Sequence, residues 1–152
     1  MRALAVAAIL ALVSALAPAP ARAELEPWDQ EKVTALTTQL AAAVREARRA
    51  VQRDPASPDR SNPGMRRYLD AVRRVETTSG RLATALQNGQ AREQTQRTAE
   101  LLRQHVRDAE LRGAQVPTSQ RSEVKIEPVK VLLDQLAPFW FEEARQLAPP
   151  PA

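Results

Sequence analysis

The chain has 152 residues, no Cys, a single His and a formal net charge of +4. Without Cys there are no disulfides, thiol nucleophiles or thiolate metal sites, and one His excludes any two-His metal site within one chain. Only three of the basic residues are Lys and the rest are Arg, which with abundant Ala and Pro points to a GC-rich bacterial genome.

The chain opens on MRALAVAAILALVSALAPAPARA. One Arg precedes an apolar run of about 15 residues, too short for the roughly 20 a bilayer-spanning helix needs. Pro18 and Pro20 break any helix there, and Ala21-Arg22-Ala23 supplies the small residues a signal peptidase reads. Residues 1–23 therefore read as a cleavable signal peptide, with Glu24 first in the mature chain. The expected localisation is the periplasm of a Gram-negative bacterium, with no membrane span after cleavage. Losing Arg2 and Arg22 lowers the net charge from +4 to +2. That small excess, on an exported chain, argues against a nucleic-acid partner. Residues 24–147 are long enough for one helical domain with one core. Residues 148–152 read as a Pro-rich, disordered tail.

Four segments carry helical periodicity. The first spans Pro27 to Arg53, with Pro27 at the first helical position and Val33, Leu36, Leu40, Val44, Ala47 and Val51 on one face. DPASPDRSNPG then halts it. The second starts at Pro63 behind an Asn62 N-cap, and Met65, Tyr68, Leu69, Val72, Val75, Ser79, Leu82 and Leu86 repeat every seven residues. Gly80 inside it costs about 1 kcal/mol relative to Ala. Asn88-Gly89 predicts a tight turn, the rival being one helix over 63–112. The third segment, Gln90 to Arg112, has a thin face of Leu101, Leu102, Val106, Ala109 and Leu111. Its i,i+4 pairs Glu93–Arg97 and Asp108–Arg112 suit a solvated surface. After a loop punctuated by Gly113 and Pro117, with Ser119 or Ser122 as cap, the fourth spans Ser122 to Leu147. Its stripe is Ile126, Val129, Leu133, Leu136, Trp140, Ala144 and Leu147. Pro128 is tolerable in a first turn, whereas Pro138 predicts a break near Leu136.

No stretch alternates as a strand does, so the fold class is all-α. Similar helix lengths and short connections favour an antiparallel four-helix bundle, the alternative being a three-helix bundle with a long bent helix. No phosphate loop or dinucleotide fingerprint occurs, so no cofactor and no catalytic or metal-ligating residue is expected. A b-type haem held by Met65 and His105 is one alternative function. Folding back at Gly89 leaves those two about 12 Å out of level, which speaks against it. An enzyme built on paired helical carboxylates is another.

Phe139, Trp140 and Phe141 are consecutive and span about 200° of a helix, more than one core-facing stripe accepts. Trp140 continues the stripe and Phe139 closes the end of the bundle, where Trp28 would pack on Trp140. Phe141 is left over. The three are the candidate partner-binding residues. The expectation is a non-enzymatic, exported, soluble protein that binds a protein or peptide partner or a small apolar ligand.

Overall fold

The computed structural model describes residues 25–59 and 61–142. The leader, the Pro-rich tail, and the stripe positions Ala144 and Leu147 lie outside the described residues. Among those described there are four α-helices and no strand. They are α1 (Gln30–Gln52), α2 (Pro63–Gln87), α3 (Arg92–Gly113) and α4 (Gln120–Leu136), the last followed by a 3-10 turn over Ala137–Phe139.

Helix α1 begins three residues later than Pro27 suggests. Asp29 is the N-cap, its carboxylate accepting from the Lys32 N–H at 3.0 Å. The lead-in stays extended because the Glu26 N–H donates to the Pro138 carbonyl at 2.9 Å, tying it to the end of the 3-10 turn. Buried positions Val33, Thr37, Leu40, Val44, Ala47 and Val51 alternate steps of four and three. That even heptad puts Thr37 in the core, where its hydroxyl donates to the Val33 carbonyl, and leaves Leu36 half-buried.

Helix α2 starts as its sequence indicates: Asn62 accepts from the Gly64 and Met65 N–H groups at 2.8 and 3.2 Å. It ends at Gln87, and Gly89 takes φ +79°, which only Gly adopts without strain. Helices α2 and α3 are therefore separate. The Ala91 N–H donates to Gln94 at the start of α3, half of a capping box. Leu102 and Ala109 face inward as expected. Leu101 and Leu111 do not: they are 39% and 70% exposed, since α3 touches only α2 firmly and buries a single narrow row.

Helix α4 begins before Ser122, so Pro128 sits in its third turn and not its first. Pro128 and Val124 are both exposed, so water can serve the Val124 carbonyl that Pro128 leaves without a backbone donor. Pro138 ends the α-helix at Leu136, as predicted.

The four helices pack against one another around one apolar cluster. Helix α1 lies against α2 and α4, and α2 against α3, but α3 and α4 do not close on each other. One polar latch holds the start of α4. The buried Asp54 carboxylate accepts from the Ser122 hydroxyl at 2.6 Å and from the Ser119 N–H and hydroxyl at 2.7 and 2.9 Å. It also accepts from the Ala56 N–H at 2.9 Å. The Ser122 hydroxyl first, then the Ser119 N–H, lower its pKa to about 2. Asp54 thus caps α4 from the far side of the chain.

Candidate functional site: an aromatic cap and an apolar trough

Pro138 turns the chain so that the three consecutive aromatics leave a helical spiral and diverge. Phe139 and Trp140 are buried, and Phe141 is half-buried. Trp28 meets both buried rings edge-on, with centroids 5.5 Å from Trp140 and 6.4 Å from Phe139. The Trp140 indole donates to the Thr95 hydroxyl at 3.3 Å and the Trp28 indole to Gln30 at 2.9 Å. Gln30 in turn donates to the Leu86 and Gln90 carbonyls. Every element that reaches this end is thereby stitched to the cap. The sequence-predicted packing of Trp28 on Trp140 is present.

Each aromatic of the cap except Trp140 also carries a cation. Lys32 lies 5.4 Å from the Phe139 centroid, Arg92 5.3 Å from Trp28 and Arg103 4.0 Å from Phe141. Phe141 is therefore half-covered by a guanidinium.

Below the cap, the unclosed side between α3 and α4 forms a trough. Its cap-end half is a cavity of about 410 Å³ floored by Leu82, Ala99 and Leu102 and walled by Leu133, Trp140 and Phe141. Its other half, about 500 Å³, reaches Val44, Val72 and Val75 in the core and ends near Gly113 and Thr118. Val106, Glu110, Lys130 and Leu133 line both halves, so the two adjoin along the α3–α4 seam. Along α3 the trough runs from Ala99 to Ala114, about 22 Å at 1.5 Å per residue. Its charged groups are Arg103, Arg107 and Glu110 on α3 and Glu123, Lys130 and Asp134 on α4.

Sequence reasoning named Phe139, Trp140 and Phe141 but not the trough. Its local signal was present in the thin face of α3: Leu102, Val106 and Ala109 leave room that bulkier residues would fill. His105 is half-buried, its Nδ1 3.0 Å from the Thr78 hydroxyl. Thr78 is thirteen residues along α2 from Met65, about 20 Å, so Met65 and His105 do not fit an axial pair across one iron. Among the described residues, no three His, Cys, Asp or Glu side chains group to hold a metal ion, and no helix is long and apolar enough to cross a membrane. No protein family, curated protein or solved structure matches the chain.

Proposed function

We propose that this protein is an exported, non-enzymatic antiparallel four-helix bundle that holds an elongated apolar ligand between α3 and α4 in the periplasm. Antiparallel order is supported by the pairs that meet across neighbouring helices. Gln30 at the start of α1 reaches Leu86 at the end of α2, and Arg74 of α2 reaches Asp108 of α3 at 2.6 Å. At one end of α1, Trp28 meets Trp140; at the other, Asp54 meets Ser119. Export is supported by the leader pattern of residues 1–23.

One observation carries the binding reading: the seam between α3 and α4 is open down to core side chains. Apolar surface left wet at about 25 cal/mol per Å² is a standing drive for burial, and both cavities fall within the usual range for small-molecule sites. A floor of apolar side chains along about 22 Å of α3 suits an elongated ligand.

Titration with the neutral apolar fluorophore N-phenyl-1-naphthylamine tests this. Saturable emission enhancement is expected with the native protein and its loss with Val106→Trp, which plugs the region common to both halves. Absence of saturable binding to the folded protein would overturn the reading.

A protein or peptide partner is the second reading. Val124 and Val131, seven residues apart on α4 with Pro128 between them, are 62% and 46% exposed and form an uncovered stripe.

A further inference from the structure

Resting on the trough as the ligand site, we infer that its occupant is a single-chain amphiphile with a monoanionic carboxylate head, seated with the head at the aromatic cap and the tail toward the α3–α4 loop.

The floor suits a chain-like body: its side chains are apolar, and the two halves span about 22 Å of α3. The charges fix the head. Glu110 and Lys130 belong to both halves and do not discriminate between them. Of the remaining charged groups, Arg103, Arg107 and Asp134 line the cap-end half, and Glu123 alone lines the other. Within the lining, the charged groups not shared by both halves are thus net positive at the cap end and negative at the other, and an anionic head is favoured at the cap.

Arg103 and Arg107 are one helical turn apart, so their guanidinium groups lie on one face of α3 and can approach one head together. Phe141, held under Arg103, supplies an apolar edge where the head joins the tail. Asp134 and Glu110 share the same rim. Two carboxylates oppose a dianion more than a monoanion, which selects a fatty carboxylate over a phosphate monoester.

The chain's only two Trp, Trp28 and Trp140, are both in the cap, so indole emission reports on that end alone. Stearic acid carrying a nitroxide at carbon 5 or at carbon 16 is titrated into the full mature protein. Stronger quenching by the carbon-5 label is expected. Equal quenching, or stronger quenching by the carbon-16 label, overturns the orientation. Arg107→Gln and the double variant Arg103→Gln/Arg107→Gln should weaken stearate by about tenfold or more while leaving stearyl alcohol unchanged. Circular dichroism confirms that each variant is folded. Alcohol and acid bound equally by the native protein would overturn the anionic head and leave the trough intact. If neither lipid nor the neutral fluorophore binds, the trough reading itself fails.

Discussion

Helices α1 and α2 bury complete stripes, whereas between Ser122 and Leu136 α4 has no fully buried side chain. Ile126, Val129, Leu132 and Leu133 are all half-buried, although they are as apolar as Leu40 or Leu82. Full burial of one such residue stabilises by about 1.5–3 kcal/mol, so α4 contributes well below its composition. The contrast places most of the fully buried side chains on α1 and α2. The α3–α4 side keeps part-buried apolar surface, which the proposed ligand would cover.

The sharpest way to break that comparison is a pair of truncations. Leu40→Ala, at a fully buried α1 position, should cost about 3 kcal/mol in urea denaturation, and Leu132→Ala on α4 about 1 kcal/mol. Equal losses would show that α4 is as tightly packed as α1.

Next is the latch that holds α4 in place. The Asp54 pKa is depressed in the folded chain, so its contribution is fully present above the unfolded value near 4 and is lost as pH falls through about 2. Asp54→Asn should lower the urea midpoint at pH 7 and flatten the fall in stability between about pH 4 and 2. Asp108, lowered first by its hydrogen bond from Arg112, keeps part of that slope in the variant. An unchanged midpoint and slope would mean that the Asp54–Ser122 contact does not hold α4.

The smallest effect comes from α2. A Cβ at Gly80 meets nothing within 4 Å, so Gly80→Ala should stabilise by about 0.5–1 kcal/mol, read as a higher melting temperature. Gly113→Ala runs the other way, because its Cβ would lie 2.9 Å from the Tyr68 ring.

Local chemistry explains which features could be read in the sequence. The heptad of α2, the Asn62 cap, the Gly89 turn and the Pro138 break depend on residues within a few positions of each other, and all four are present. Trp28 against Trp140 was also legible, because it follows once the first and last helices share an end. The Asp54 latch was not: Asp54 sits in a loop of Pro and Ser, and its partners are 65 and 68 residues away. The start of α1 was misplaced because Pro27 fits a helix N-terminus equally well, and the Glu26–Pro138 contact that decides the matter is long-range. The trough lies between two helices that fail to meet: the thin apolar face of α3 hints at a gap, but no periodicity within either helix says which neighbour it leaves uncovered.

Methyl-resolved NMR of the mature protein during a fatty-acid titration tests the central claim most directly. Leu102, Val106 and Leu133 methyls should shift together and saturate, while Val124 and Val131 stay in place. Shifts confined to Val124 and Val131, or no saturable shift at all, would contradict it.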